Sequence, residues 1–173
     1  MPTATKIPLA SVTLSSATSS ITFGSISQSY TDLVLVTSLQ VSAPASLRLQ
    51  FNGDTGSNYS ATIIYADGVS TKGSGRYTNS TSVASDALSG VGYTSYSVFS
   101  PFIFNIMNYS NTTTYKSALT SLRTTSGGYL NGADLTVAAA IWRSTSAISS
   151  ITIFASNSAN LAANSTFNLY GIL

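Results

Sequence analysis

Short runs that alternate apolar and polar residues constrain the fold of this chain more than any other feature. Leu47-Arg48-Leu49-Gln50-Phe51 is the clearest case, because its apolar side chains fall at every second position. A period of two places neighbouring side chains on opposite faces of a strand. About ten such runs occur between turns rich in Gly, Ser, Asn and Pro, at Ile7–Leu14, Ser20–Phe23, Asp32–Val41, Leu47–Phe51, Ala61–Ala66, Tyr96–Tyr109, Tyr115–Thr125, Leu135–Arg143, Ser150–Ala155 and Thr166–Leu173.

The composition argues against helices. Glu is absent and Lys and Met are few, whereas 33 serines and 23 threonines make up nearly one third of the 173 residues. Ser and Thr are poor helix formers that favour turns, strands or caps. The pattern predicts an all-β fold, an antiparallel two-sheet β-sandwich of about ten strands.

Two segments stand apart from the predicted single domain at 9–173. Residues 1–8 contain two prolines and read as an N-terminal arm, with a disordered terminus as the equal alternative. Residues 67–92 are polar and glycine-rich and read as a long surface excursion, with one strand expected at Arg76–Val83. Long excursions of this kind are often functional.

Charge is unusually scarce, because seven Lys and Arg and five Asp make only 7% of the chain ionisable. Charged residues typically make up about 25% of a globular protein, so hydroxyl and amide groups must hydrate this surface instead. A net charge of +2 from scattered residues does not build the positive surface that nucleic-acid binding requires. The longest apolar run is Val137–Trp142, far short of a membrane span, and we expect no membrane contact.

Catalytic chemistry has few candidate groups. The chain has no His to act as a general base and no Cys to act as a nucleophile or thiolate ligand. No Ser lies in a G-x-S-x-G motif, and no two carboxylates lie close together along the sequence. We therefore predict a protein that is not an enzyme and that uses no cofactor and no metal; a pair of Asp residues of glycosidase type is the remaining catalytic alternative.

The loop after the clearest strand, Asn52-Gly53-Asp54-Thr55-Gly56-Ser57-Asn58, offers two interpretations. Its oxygen-bearing side chains could form a weak cation site, but calcium loops usually supply several carboxylates and this one has only Asp54. Asn-Gly and Asp-Thr-Gly instead supply positive φ angles and side-chain-to-backbone turns. The turn interpretation is favoured over the cation site.

The segment Lys72-Gly73-Ser74-Gly75-Arg76 carries two of the seven cations. It lacks the strand–loop–helix setting of a phosphate-binding loop, so we expect a flexible loop tip in which Lys72 and Arg76 form a contact patch. Eight tyrosines lie near predicted strand ends or loops, where they either cap the core or serve an interface or glycan: Tyr59, Tyr65, Tyr77, Tyr93, Tyr96, Tyr109, Tyr115 and Tyr129.

Both ends of the chain resemble virion structural proteins of tailed bacteriophages. The resemblance is carried by Ser19–Phe23, Ser27–Leu35, Leu47–Ser60, Ser149–Ile153 and Ser165–Ile172, whereas residues 69–125 carry no motif of the group. It implies a jelly-roll-type sandwich that assembles as a homotrimer. It implies no catalytic residue.

Within that group the resemblance leaves two roles open. The first is a capsid decoration (cement) protein that binds the phage major capsid protein lattice on the capsid surface and stabilises the head. The second is a tail-fibre module that recognises glycans on the host surface. No shaft or anchoring segment is recognised in the sequence, which favours decoration. The predicted arm supplies a capsid-facing element through Met1, Pro2, Thr3 and Lys6.

Overall fold

A computed structural model of the chain describes residues 5–66, 72–84, 98–125 and 133–173, with the side chains of 122–125 and 133–134 left aside. These residues form strands, turns and bends and contain no helix. Twelve strands lie in the described part: β1 Lys6–Thr13, β2 Ser20–Phe23, β3 Asp32–Leu39, β4 Leu47–Phe51, β5 Tyr59–Ala66, β6 Lys72–Ser80, β7 Val83–Ala84, β8 Ser100–Met107, β9 Lys116–Thr125, β10 Ala133–Trp142, β11 Ile151–Ala155 and β12 Thr166–Ile172.

The strands form two sheets, which confirms the predicted all-β sandwich. The large sheet has eight strands in the order β1-β12-β3-β8-β9-β10-β5-β6, and the small sheet has four in the order β2-β11-β4-β7. Every strand pair is antiparallel. No helix among the described residues is long and apolar enough to cross a membrane.

The core lies between the sheets and is filled by alternate residues of each strand. In β4 the side chains of Leu47, Leu49 and Phe51 are buried, and in β8 those of Phe102, Phe104 and Ile106 are buried, as the period of two requires. In β3 the run Leu33-Val34-Leu35 is buried at successive positions, so this part of the strand is covered on both faces.

The sheets extend into both segments that the sequence set apart. The described part of the expected excursion at 67–92 contains two strands, β6 and β7, where one was expected at Arg76–Val83, and β6 pairs along its length with β5. The expected arm at 1–8 overlaps the sheet, because Lys6, Ile7 and Pro8 pair with β12. Proline is tolerated there because β1 is an edge strand, and the register shifts between Pro8 and Ala10.

Some predictions fall outside the described residues. Met1, Pro2 and Thr3 of the arm belong to this group, as do residues 67–71 and 85–92 of the excursion. Three of the tyrosines considered as interface residues lie there as well: Tyr93, Tyr96 and Tyr129.

Candidate interaction surface

The loops that follow β4, β8 and β10 meet at one end of the sandwich. Asn52, with a φ of 53°, ends β4 and joins the β4–β5 loop to the β10–β11 loop. Its Oδ1 accepts hydrogen bonds from the backbone N–H groups of Ser149 (2.8 Å) and Ser150 (3.1 Å), and its Nδ2 donates to the Ala147 carbonyl (2.8 Å). This amide therefore closes the end of the sandwich.

Asp54 is the centre of this end. One carboxylate oxygen accepts from the Gly56 N–H (2.8 Å) and the other from the indole Nε1–H of Trp142 (2.6 Å), while Asn58 Nδ2 donates to both. Burial raises the pKa of Asp54, but the hydrogen bonds from Trp142, Asn58 and Gly56 outweigh it, so the pKa lies below its ordinary value of 3.8. The carboxylate is therefore ionised at neutral pH and fully engaged within the chain.

An aromatic cluster packs beneath the loop. Phe51, Tyr59 and Trp142 lie with ring centroids 5.6–6.3 Å apart. The Tyr59 hydroxyl donates to the Asp54 carbonyl (3.1 Å) and accepts from the Phe51 N–H (3.1 Å). Burial raises the pKa of Tyr59 to about 12, with a backbone hydrogen bond from Phe51 acting in the opposite direction and the nearby Asp54 charge adding to the rise.

These contacts decide between the two interpretations of residues 52–58. The segment is a turn, with positive φ at Asn52 and Gly53 and an Asp54 N–H to Phe51 carbonyl bond of 2.9 Å. Its single carboxylate is occupied by donors of the chain itself, which does not fit a cation site. No group of three acidic, His or Cys side chains that could hold a metal ion occurs among the described residues.

Lys116 is a buried cation that the sequence did not reveal. Only 1% of this residue is exposed, and its Nζ donates to the carbonyl oxygens of Thr114 (2.7 Å) and Thr145 (3.2 Å). Burial lowers its pKa. Because its partners are carbonyls that join the β8–β9 and β10–β11 loops, we assign Lys116 a structural role.

The described tyrosines divide between core and surface. Tyr59 and Tyr109 are fully buried, and the Tyr109 hydroxyl donates to the Ser27 carbonyl, so both cap the core. Tyr65 and Tyr77 are partly buried and pack against it. Tyr115 is 54% exposed and is available to a partner. Core capping therefore accounts for most of the described tyrosines.

The outer surface of the large sheet carries the most unusual feature of the molecule. Six large apolar side chains are exposed there, up to 66% for Ile64, and we call this set the outer apolar face: Ile64 of β5, Ile103 and Met107 of β8, Leu119 of β9, and Leu135 and Ile141 of β10. Burial alternates along these strands, which places the six opposite the core. Monomeric proteins rarely expose large contiguous apolar patches.

The outward positions between these six residues are small or neutral. One cross-strand row reads Ile103–Ser121–Val137–Ile64, and the next reads Asn105–Leu119–Ala139–Thr62. Among the described side chains at outward positions of β8, β9, β10 and β5, none is ionisable. Among its described side chains the face therefore alternates protruding apolar groups with small hollows; Arg123, which pairs with Leu135, lies outside the described side chains.

The predicted contact residues lie at the margins of the large sheet. Lys72 and Arg76 are exposed residues of the edge strand β6, opposite Ala66 and Thr62, so the expectation of a flexible loop tip was wrong. The pairing places them on the same side as Ile64, at the rim of the outer apolar face. Lys6 begins β1 at the far edge of the same sheet.

The outer surface of the small sheet differs in shape and polarity. It carries a shallow groove of about 600 Å³ lined by Ser20, Gln50, Thr152 and Phe154 and by the turn at Asn157–Ser158, whose φ values are 56° and 57°. Arg48 of the same surface has its guanidinium 5.9 Å from the centre of the Tyr77 ring. Hydroxyls, amides and the ring of Phe154 line the groove itself.

No protein-family model, curated protein or solved structure matches the chain.

Proposed function

We propose that this chain is a non-enzymatic virion structural protein, a capsid decoration protein that binds the major capsid protein lattice and stabilises the head. The observation that carries the proposal is the outer apolar face. Six large apolar side chains are exposed on one sheet surface by the described part of the chain, and a second protein that covers them removes their contact with water. A protein that works by assembly needs such a surface, whereas a solitary one is exposed to aggregation.

The strand order supports the jelly-roll arrangement that the resemblance implies. When the pairs β5–β6 and β9–β10 are set aside, four strands remain in each sheet, in the orders β1-β12-β3-β8 and β2-β11-β4-β7. Eight strands in two sheets are what a jelly roll requires. The two extra pairs extend one edge of the large sheet, and four of the six residues of the outer apolar face lie on β5, β9 and β10.

The scarcity of charge also suits a decoration protein. Contacts formed by apolar area and neutral hydrogen bonds are hardly screened by salt, whereas exposed ion pairs weaken as ionic strength rises. When the salt concentration around the head changes, neutral contacts therefore keep a more constant affinity than ion pairs do. The engaged carboxylate of Asp54 supports a role without catalysis, because its hydrogen bonds serve the fold.

Binding to emptied heads of the phage that encodes the chain tests the proposal. We expect saturable binding that raises the temperature at which the heads rupture, and we expect Leu119→Lys to abolish it. Thr22→Lys adds the same charge to an exposed position of the small sheet and should bind as the original chain does. Absence of saturable binding, or equal binding by both variants, contradicts the proposal. Removal of residues 1–5 tests the arm separately.

The groove of the small sheet favours a second candidate, a tail module that recognises surface glycans. Hydroxyls and amides beside an aromatic ring suit a neutral sugar, and the groove volume lies within the range of small-molecule sites. We expect Phe154→Ala to abolish binding on an array of bacterial surface glycans if this role is correct, with Ile64→Ala, a truncation on the outer surface of the large sheet, as the control. If the original chain binds no glycan on the array, this candidate is ruled out.

A further inference from the structure

The dipeptide Asn52-Gly53 is exposed at the end of the sandwich where the loops after β4, β8 and β10 meet, which we call the loop end. Asn52 and Gly53 both have positive φ angles, 53° and 67°. The Asp54 N–H donates to the Phe51 carbonyl across them (2.9 Å). Positive φ at both central residues is the mark of a type I′ turn, in which Asn-Gly is strongly preferred. The turn therefore accounts for the presence of this dipeptide.

Asn-Gly is also a chemically labile pair, because glycine has no side chain to keep its backbone nitrogen away from the preceding amide. Hydroxide removes the proton of the Gly53 amide, and the nitrogen bonds to Cγ of Asn52. The Cγ–Nδ2 bond breaks, Nδ2 takes a proton from water and leaves as ammonia, and a cyclic succinimide remains. Water then opens the ring at either carbonyl to give aspartate or isoaspartate, with no oxidation or reduction.

The fold restrains the side chain that must move in this reaction. Asn52 Oδ1 accepts from the N–H groups of Ser149 and Ser150, and these bonds hold the amide against the β10–β11 loop. Nδ2, the group that leaves, donates to the Ala147 carbonyl. Ring closure brings Cγ onto the Gly53 nitrogen and removes Nδ2, so it cannot proceed with these bonds in place. The dipeptide therefore reacts when the loop end opens, and loops open locally at a lower free energy than the core.

Either product fits the closed loop end less well than Asn52 does. Aspartate has no N–H to donate, so a carboxylate oxygen would face the Ala147 carbonyl across the 2.8 Å that a hydrogen bond now spans. Isoaspartate adds a methylene group to the main chain, which lengthens the turn between Phe51 and Asp54. The new negative charge also lies only two residues from the Asp54 carboxylate.

We propose that Asn52 is a latent deamidation site. Opening of the loop end releases the side chain for ring closure, and the aspartate or isoaspartate that forms keeps the loop end from closing again. Chemical modification of an opened state is one route by which a native structure is lost irreversibly. The modification lies at the loop end and not on the outer apolar face, so it sets a limit to the lifetime of the chain and does not rest on the proposed head binding.

Peptide mass mapping measures the reaction directly. Trypsin cuts after Arg48 and Lys72, and fragmentation of the peptide between them assigns a change at Asn52. Chain kept folded in mildly alkaline buffer is compared with chain unfolded in guanidinium chloride at the same pH, where the second Asn-Gly dipeptide, Asn131-Gly132, reports the intrinsic rate. We expect Asn52 to match that rate when unfolded and to convert at least about tenfold more slowly when folded. Equal rates in the two states, or a folded chain in which Asn52 never converts, overturns the proposal.

Asn52→Asp supplies one product without the reaction. We expect it to raise the unfolding equilibrium constant about tenfold in urea denaturation, since a hydrogen bond becomes a repulsive contact. Asn157→Asp is the matched control, because Asn157 is also exposed and also has a positive φ (56°) but lies in the turn after β11. Hydrogen exchange at the Ser149 and Ser150 amides should quicken in Asn52→Asp and in chain converted while folded, and not in the control. Equal unfolding constants for the two variants, or unchanged exchange in the converted chain, contradicts the proposal.

Discussion

The polar cluster around Asp54 and the outer apolar face differ in how completely their contacts are satisfied within one chain. In the cluster, the carboxylate of Asp54 and the side chains of Asn52, Asn58 and Trp142 all have hydrogen-bond partners in the loops. On the face, six large apolar side chains project into solvent. The difference indicates that polar groups at the loop end complete the fold, whereas the apolar groups of the outer face are left exposed by the described part of the chain.

The largest effect within the folded chain should come from Asp54→Ala. It removes the acceptor of the Trp142 indole, which is almost fully buried, and of Gly56 and Asn58. We expect the free energy of unfolding to fall by about 2–4 kcal/mol, since hydrogen bonds to a charged group are strong and orphaned donors are costly. Urea denaturation measures this.

A second carboxylate provides the control for that measurement. Asp32 lies outside the cluster, and its Oδ1 accepts from the Asn108 N–H (2.7 Å). Asp32→Ala should cost about 1 kcal/mol. Neither variant should alter binding to emptied heads at a temperature at which both are folded. Equal costs for the two variants, or loss of head binding by Asp54→Ala alone, would erase the distinction between cluster and face.

Acid should affect the cluster and spare the face. Since the folded-state pKa of Asp54 is lowered, its contribution to stability is complete above the ordinary pKa of 3.8 and is lost as pH falls through the folded value. We expect the unfolding free energy to drop below about pH 4 and the drop to be shallower in Asp54→Asn. Chemical denaturation at stepped pH measures both slopes. Parallel slopes would show that Asp54 carries no such stabilisation.

The strand pattern was readable from sequence where alternation was clean. β2 and β4 begin and end at the predicted residues, because apolar side chains at every second position leave one register that buries them. The start of β6 was not predicted, and a strand was expected only from Arg76, because Lys72–Gly75 contains two glycines and no apolar side chain. Its pairing with β5 holds it as a strand, so tertiary contact overrides the local preference.

The cluster around Asp54 and the outer apolar face could be predicted from the sequence to different degrees. The turn at residues 52–58 follows from its glycines and asparagines, but the Trp142–Asp54 hydrogen bond joins residues 88 positions apart and leaves no local signal. The face was half visible, since β8 is apolar at both its inward and outward positions. That Ile64 lies in the same row as Ile103 depends on the strand order, which no single run encodes.

The smallest expected effect concerns a buried hydroxyl group that has no hydrogen-bond partner. It tests whether such hydroxyl groups stabilise the fold as the polar groups around Asp54 do. Thr136 is fully buried, and its Oγ1 has no hydrogen-bond partner in the described structure. Thr136→Val keeps the side-chain shape and removes this group, so we expect the unfolding free energy to rise by about 1 kcal/mol. Thr13→Val changes an exposed residue of β1 and should stay within about 0.5 kcal/mol of the original. Loss of stability in Thr136→Val would mean that a buried water satisfies the hydroxyl, and that polar groups throughout this chain, and not only those at its loop end, serve the fold.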